Sequence, residues 1–143
     1  MTDKDNRNTY EVRLKVPFHD VDPMQVVWHG NYFKYFEIAR DGLLNQMGVD
    51  LQSFFSDTQY VFPVIKTSAK HIFPLRHRDE FICKATLIGT KFKIIMTFEI
   101  RLVKDNKLCA KGKSEQAAVK YPEMEIMFNI PEKIQQAFGL INE

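Results

Sequence analysis

Residues 16–48 read VPFHDVDPMQVVWHGNYFKYFEIARDGLLNQMG, an acidic loop joined directly to a long apolar helical pattern. Apolar side chains occupy so much of the circumference between residues 31 and 47 that the pattern predicts one helix buried on most sides. The apolar positions are Tyr32, Phe33, Tyr35, Phe36, Ile38, Ala39, Leu43, Leu44 and Met47, and the polar remainder is Lys34, Glu37, Arg40, Asp41 and Asn45. Gly30 and Asn31 can cap the helix and Gly48 can end it.

The predicted start of this helix, just after His29, lies beside a loop that carries Asp20 and Asp22. The backbone N–H groups of a first helical turn attract negative charge. A carboxylate held next to these N–H groups indicates a site where an oxyanion could form and be stabilised.

Alternation of apolar and polar residues predicts strands on both sides of the helix. One strand covers residues 10–18, and four follow at 61–71, 81–87, 92–102 and 108–120. Tight turns between the last three predict an antiparallel meander. Residues 49–60 give only a weak signal for a short helical turn and loop. A short C-terminal helix is expected to start with Pro131 at its first position and to stop at Gly139.

These elements predict an α+β domain at residues 10–143, with residues 1–9 as a flexible tail, in which one antiparallel sheet curls around one central helix. Such a sheet leaves an open edge strand, which pairing with a second copy removes. A chain of 143 residues is also short for a deep private site. We therefore expect a homodimer or homotetramer with sites shared between chains.

Charge, cysteine content and absent motifs argue against several classes of protein function. The formal net charge is +2 with acids and bases interspersed, which gives no case for nucleic acid as the main partner. The two cysteines, Cys83 and Cys109, fit reduced core thiols and a cytoplasmic protein. The polar N-terminus has no signal-peptide pattern, and no apolar run approaches the ~20 residues of a membrane span. Motifs for a serine nucleophile elbow, a phosphate loop and a Cys/His dyad are absent from the sequence.

Asp22 is the first candidate for chemistry, because Pro23 stiffens the backbone behind its carboxylate. A fixed carboxylate suits a nucleophile or a general base. The alternative is that Asp20 and Asp22 both cap turns or the helix. His29 can be a general acid or a metal ligand, or it can pack locally. The group formed by His19, Asp20, Asp22 and His29 lacks the spacing of a zinc site, so no metal is expected.

Two further sets of charged residues allow a structural and a functional interpretation. Glu37 either pairs with Arg40, three residues later on the helix, or acts as a catalytic carboxylate. The basic residues Lys91 and Lys93, and those in the bend at residues 76–78, are either solvated turns or a site for an anionic cofactor tail.

Two stretches carry a family resemblance: DVDPMQVVWHGNY at residues 20–32 and YFEIAR at residues 35–40. They resemble the signature of the 4-hydroxybenzoyl-CoA thioesterase family of hot-dog proteins, in which Asp-x-Asp is followed by His or Tyr, Asn-Tyr and a Glu-x-x-Arg helix. FPLRHRDEF at residues 73–81 is similar to the family's Pro-Leu-x-x-x-Asp turn, and IPE at 130–132 to its C-terminal helix start. Nearly the whole chain from Tyr10 onward is covered.

The resemblance implies the hot-dog fold, a sheet wrapped around a central helix, and places the catalytic aspartate on Asp22. The helix start that polarises the carbonyl falls on the backbone of His29 and Gly30. Tyr32, Glu37 and Lys91 are the predicted substrate-binding residues. The chain departs from many relatives at Met24 and Gln25, where a small residue or glycine is usual, and at Gly89 and Thr90, where some relatives have arginines.

The expected activity is hydrolysis of an acyl-CoA thioester to a free acid and coenzyme A, with no cofactor beyond the coenzyme A of the substrate. Hydrolysis of an acyl chain from acyl carrier protein is a close variant. A hot-dog dehydratase or hydratase is a rival, but its catalytic His is spaced differently from its acidic partner. A non-catalytic acyl-binding protein is the other alternative.

Overall fold

The computed structural model describes residues 7–139, and the long helix lies against one curved antiparallel sheet. The five strands of the sheet run in the order β1-β4-β5-β6-β3. They are β1 (Thr9–Lys15), β3 (Val64–His71), β4 (Glu80–Gly89), β5 (Ile94–Leu102) and β6 (Leu108–Gln116). The helices are α1 (Asn31–Gln46), α2 (Leu51–Thr58) and α3 (Glu132–Phe138), and one turn of 3-10 helix covers Phe18–Asp20. The predicted fold class and the β4-β5-β6 meander are confirmed.

Aromatic packing holds α1 against the middle of the sheet. The ring of Phe36 stacks on that of Phe98 in β5, with centroids 4.7 Å apart. Gly112 of β6 makes room for this ring, because a Cβ on Gly112 would come within 2.3 Å of Phe36. The fixed position of α1 in turn fixes where its N-terminus points.

The sheet covers one side of α1, which differs from the prediction of a helix buried on most sides. Phe33 and Ile38, on the other side, are 38% and 41% exposed. Arg40 was predicted to belong to the polar remainder but is buried, with its guanidinium 5.9 Å from the Phe98 ring centroid. One curved sheet cannot enclose a helix, so an apolar face of α1 remains open in the single chain.

Several short elements differ in detail from the prediction. Asp50 accepts hydrogen bonds from the backbone of Gln52 and Ser53 and so caps α2, a helix of eight residues where only a short helical turn and loop were expected. The predicted strands at 61–71 and 108–120 are each interrupted. The outer parts of these two runs lie in β2 (Tyr60–Val61) and β7 (Val119–Lys120), which form a second sheet together with an unpredicted strand, β8 (Glu125–Ile126). Pro131 is the N-cap of α3 instead of its first residue, and Gly139, with φ of 69°, is its C-cap.

The N-terminal tail predicted for residues 1–9 lies partly outside the described residues, as do residues 140–143 of the predicted domain. Within the described part, β1 begins at Thr9, and the preceding Asn8 also contacts β4: its side-chain amide donates to the Leu87 carbonyl, and its own carbonyl accepts from the Leu87 N–H. Cys83 and Cys109 are free and buried, and burial raises the pKa of the Cys83 thiol to about 12. Within residues 7–139, no helix is long and apolar enough to cross a membrane.

Candidate active site

The acidic loop between the 3-10 turn and α1 folds back on itself and docks on the bend before β4. Val21 and Val27 pair as an isolated antiparallel bridge, and Val26 pairs in the same way with Arg76. The backbone N–H of Val27 donates to the carbonyl of Leu75 over 2.8 Å. These contacts give a loop without regular structure a defined path.

Asp20 is a buried structural carboxylate. One oxygen, Oδ1, accepts a hydrogen bond of 2.6 Å from Lys34, and the other, Oδ2, accepts one of 2.6 Å from the Tyr35 hydroxyl. Burial works to raise the pKa of Asp20, but the hydrogen bonds from Lys34 and Tyr35 outweigh it and hold the pKa below its usual value. Asp20 therefore stays ionised and committed to α1.

The backbone of Asp20 also connects the loop to the helix start. Its carbonyl accepts hydrogen bonds of 3.0 Å from the Trp28 backbone and 3.0 Å from the Asn31 side-chain amide. Asp20 thus holds the loop to α1 through its side chain and the first turn of α1 to the loop through its carbonyl.

Asp22 lies half-buried on the opposite side of the loop. Its Oδ1 accepts a hydrogen bond of 2.9 Å from the backbone N–H of Met24 and a longer one of 3.4 Å from Val26. The predicted alternative of a turn-capping role is therefore observed for this oxygen. Among residues 7–139, no group donates a hydrogen bond to Oδ2, so one oxygen fixes the carboxylate and the other remains available.

The N-terminus of α1 presents two unpaired amides. The N–H groups of Asn31 and Tyr32 donate to the carbonyls of Trp28 and His29. Those of His29 and Gly30 have no acceptor in the described part of the chain. A Cβ added to Gly30 would lie 2.1 Å from the half-exposed Trp28 ring, so a larger residue here would require that ring to move. Two free N–H groups at a helix start form a donor pair of the kind that stabilises an oxyanion.

A cleft of about 270 Å³ brings Asp22, His29 and Tyr32 together. Most of its wall is apolar, and the other lining residues are Met24, Val26, Val27, His71, Ile72, Phe73 and Pro74. The Tyr32 ring stands edge-on to His71, with centroids 4.6 Å apart, and burial raises the pKa of the Tyr32 hydroxyl. The sequence analysis missed His71. Its signal was the alternation of β3, in which Thr67, Ala69 and His71 share a face.

Two predicted substrate-binding residues lie outside this cleft. Glu37 is exposed and forms an ion pair with Arg40, which is the structural interpretation considered from the sequence. Lys91 follows β4, whereas Asp22 lies beside the bend that precedes it. Because a strand rises ~3.3 Å per residue, the ten residues of β4 separate the two ends by roughly 30 Å. Lys91 therefore does not line this cleft in the single chain.

The described residues offer no cluster of three or more His, Cys, Asp or Glu side chains that could hold a metal ion. His29 lies 5.1 Å from Trp28 and 6.4 Å from His71 between ring centroids, in an aromatic setting. The groups that line the cleft are a carboxylate, His29 and aromatic side chains, and the unpaired N–H of Gly30 is adjacent to His29 in the chain.

The sequence is similar to a family of known proteins and to several of its individual members. The family model described as the Thioesterase-like superfamily matches residues 16–138. The 1,4-dihydroxy-2-naphthoyl-CoA hydrolase of Rippkaea orientalis is 30% identical over 118 residues, which cover 80% of this chain and 81% of that protein. Acyl-CoA thioesterase YbgC of Haemophilus influenzae is 25% identical over 131 residues, which cover 92% of this chain and 95% of that protein.

The fold is also shared with solved structures. Slr0204, a 1,4-dihydroxy-2-naphthoyl-CoA thioesterase from Synechocystis, superposes with a TM-score of 0.79 at 18% identity. The superposition covers 94% of this chain and 98% of that one. At this identity the likeness concerns the fold, and it extends over nearly the full length of both chains.

Proposed function

Because the chain belongs to the thioesterase-like superfamily and is a thioester hydrolase, we propose that it hydrolyses an acyl-CoA thioester in the cleft beside Asp22. The products are a free carboxylic acid and coenzyme A. Coenzyme A belongs to the substrate, and the proposed reaction requires no cofactor.

One observation carries the assignment of roles. The Asp22 carboxylate is held through Oδ1 by the turn at Met24, while Oδ2 remains free beside a cleft that His29 also lines. The unpaired N–H groups of His29 and Gly30 provide the complementary donors. We assign Asp22 as nucleophile or general base and these two amides as the donors to the thioester oxygen.

In the general-base route, Asp22 takes a proton from water while the water oxygen forms a bond to the thioester carbon. The carbonyl electrons move onto oxygen, where the amides of His29 and Gly30 stabilise the negative charge. Collapse of this intermediate breaks the carbon–sulfur bond, and the departing thiolate recovers the proton from Asp22. In the nucleophilic route Asp22 itself forms the bond to the thioester carbon, and the carbon–sulfur bond breaks to release the thiolate. Water then cleaves the resulting anhydride to the free acid and the restored Asp22 carboxylate, and the proton left over from water goes to the thiolate. A thiol pKa of about 8.5 makes the thiolate a good leaving group, so no strong general acid is required.

The cleft also suggests the acyl group. A volume of about 270 Å³ with Tyr32, His71 and Phe73 in its wall suits an aromatic or short acyl group and is small for a long aliphatic chain. Edge-on aromatic contacts favour a flat ring. The names of the relatives, which include hydrolases of an aromatic acyl-CoA, agree with this choice.

We further propose a homo-oligomeric, cytoplasmic enzyme. The exposed edge strand β3 and the open face of α1 provide surfaces for a second copy, and such a copy can bring its Lys91 toward this cleft. Free, buried thiols at Cys83 and Cys109 accord with a reducing compartment.

A panel of acyl-CoA thioesters with a thiol-trapping reagent tests the activity. We expect free thiol and free acid in equal amounts, with aromatic and short acyl groups turned over faster than a long saturated chain. Loss or gain of a double bond without thiol release would instead identify a dehydratase or hydratase. Binding of acyl-CoA without either reaction would leave an acyl-binding protein.

A further inference from the structure

Asp22 borders two openings, and the proposed reaction uses one of them. The first is the cleft that holds His29, Tyr32 and His71. The second, of about 580 Å³, lies on the other side of the loop and is lined by Phe18, Val21, Asp22, Pro23, Gln25, Arg76 and His77. A thioester carbonyl placed at Asp22 has two substituents, the acyl group and the pantetheine arm. With the acyl group in the apolar cleft, the second opening is left for the arm.

The bend at residues 76–79 is rigidly held. The backbone N–H of Arg76 donates to the Asp79 side chain over 2.8 Å, and the N–H of Asp79 returns to the Arg76 carbonyl over 3.0 Å. Val16 bonds to the bend on both sides, accepting from Arg78 over 3.0 Å and donating to the Asp79 carbonyl over 2.9 Å. The two arginines therefore extend from a backbone that needs no further ordering.

Nearby acids do not neutralise these arginines. Asp79 accepts from the backbone of Arg76, and Glu80 pairs with Arg13 of β1. Within residues 7–139, no carboxylate lies within ion-pairing distance of either guanidinium. Arg76 lines the second opening, and Arg78, two residues later on the same turn, is exposed. Two unpaired guanidinium groups on a rigid turn are well suited to bind phosphate, which they can contact through two hydrogen bonds each.

An exposed aromatic ring lies beside the turn. Phe18 is 75% exposed, and its ring meets His77 edge-on with centroids 5.4 Å apart. A phenyl ring left in water gains from being covered, and a purine or the arm of a pantetheine can cover it. The lining of the second opening thus combines the Asp22 carboxylate, an exposed aromatic ring and the positive charge of Arg76.

We propose that the second opening receives the pantetheine arm of the substrate and that Arg76 and Arg78 bind its phosphates. This inference rests on the proposed function, since it locates the coenzyme part of the same substrate. The recognised chemistry is a phosphate ester on a pantetheine, which coenzyme A and an acylated carrier protein share. Lys91, roughly 30 Å away in the same chain, plays no part in this contact.

The test replaces both arginines, as Arg76→Gln/Arg78→Gln, and measures three thioesters of one acid: acyl-CoA, acyl-phosphopantetheine and acyl-pantetheine. We expect KM for acyl-CoA to rise about ten-fold or more with kcat within about two-fold of wild type, because binding is lost equally from ground state and transition state. KM for acyl-pantetheine, which has no phosphate, should stay unchanged. If KM also rises for acyl-phosphopantetheine, the arginines bind the phosphate that coenzyme A and acyl carrier protein share. If KM rises for acyl-CoA alone, they bind the phosphates of the nucleotide.

Lys111→Gln/Lys113→Gln is the matched control, because it removes two positive charges from exposed positions of β6 that line neither opening at Asp22. It should leave all three KM values unchanged. The proposal is overturned if the double arginine variant keeps a wild-type KM for acyl-CoA, or if KM for acyl-pantetheine rises by the same factor.

Calorimetric binding of coenzyme A separates this inference from the activity. If wild-type protein releases no thiol from any thioester, the proposed function fails, but the affinity for coenzyme A still decides on the arginines. Weaker binding by about ten-fold or more in the arginine variant, with no change in the lysine control, supports the phosphate site. Equal affinity in wild type and the arginine variant contradicts it.

Discussion

The buried carboxylate of Asp20 stabilises the fold, whereas the nearby Asp22 is the proposed reacting carboxylate. Asp20→Asn removes a charge that accepts from Lys34 and Tyr35, and hydrogen bonds to charged groups contribute ~1.5–3 kcal/mol. We expect a loss of unfolding free energy of that size at pH 7, measured by urea denaturation, with most turnover retained. Glu80→Gln, which breaks an exposed pair with Arg13, should change stability far less.

The same carboxylate sets a pH dependence. The folded pKa of Asp20 lies below its ordinary value of 3.8, so its contribution to stability is present above that pH and declines as pH falls through the lower, folded pKa. The stability difference between wild type and Asp20→Asn should therefore shrink in acid, when urea curves are compared at pH 7 and below 3.8. A difference that stays constant over this range would contradict an ionised, buried Asp20.

Residue roles were predictable from the sequence only where local spacing decides them. The Glu37–Arg40 pair follows from positions three apart on a helix. The commitment of Asp22 Oδ1 to the Met24 backbone, the two unpaired amides and the burial of Arg40 against Phe98 depend on contacts between distant segments, which spacing does not encode.

At the scale of elements, the close approach of α1 to the sheet depends on Gly112. An added Cβ would come within 2.3 Å of the Phe36 ring, which is itself stacked on Phe98. Gly112→Ala should therefore lower the unfolding free energy by ~1–3 kcal/mol through overpacking. Gly89→Ala is the control, since its Cβ would meet Ile95 at an ordinary 3.6 Å. Similar stabilities for the two variants in thermal or urea unfolding would contradict this account of the helix contact.

Long elements were predicted well because many residues repeat one period. The alternating runs of β1, β4 and β5 and the helical run of α1 each extend over seven residues or more. The two-residue strands β2, β7 and β8 are too short to show a period, and their positions depend on the breaks at Pro63 and after Gln116. Asp50 is a residue type that commonly caps helices, so the start of α2 was visible in the sequence. The helix itself has only eight residues, which is too short for its pattern alone to predict it.

At the scale of the whole molecule, β3 leaves one side of the sheet open. Within the described chain β3 pairs with β6 alone, and Val64 and Ile65 on it are 42% and 44% exposed. An unpaired edge with exposed apolar side chains favours pairing with a second copy. We expect sedimentation at micromolar concentration to show a dimer or a larger closed assembly. A stable particle with the mass of one chain would contradict this prediction.

The edge itself can be tested with a matched pair of variants. Ile65→Asp puts a charge on β3 where a second copy would bury it, so the assembly should dissociate more readily. Ile88→Asp places the same charge on β4 at a residue that is 49% exposed, and it should leave the assembly intact. Equal effects of the two substitutions on sedimentation would point to an interface elsewhere.

The central claim is that the assembled protein hydrolyses an acyl-CoA with Asp22 as its reacting carboxylate. The direct measurement is kcat for thiol release from one acyl-CoA by wild type, Asp22→Asn and Glu37→Gln, with circular dichroism to check the fold. Asn keeps the shape of Asp22 and its hydrogen bond from Met24 but can neither attack a carbonyl nor take a proton from water. Asp22→Asn should therefore lose ~10²–10⁴ in kcat while remaining folded, and Glu37→Gln should stay close to wild type. Near-normal turnover by Asp22→Asn together with its loss in Glu37→Gln would contradict the account.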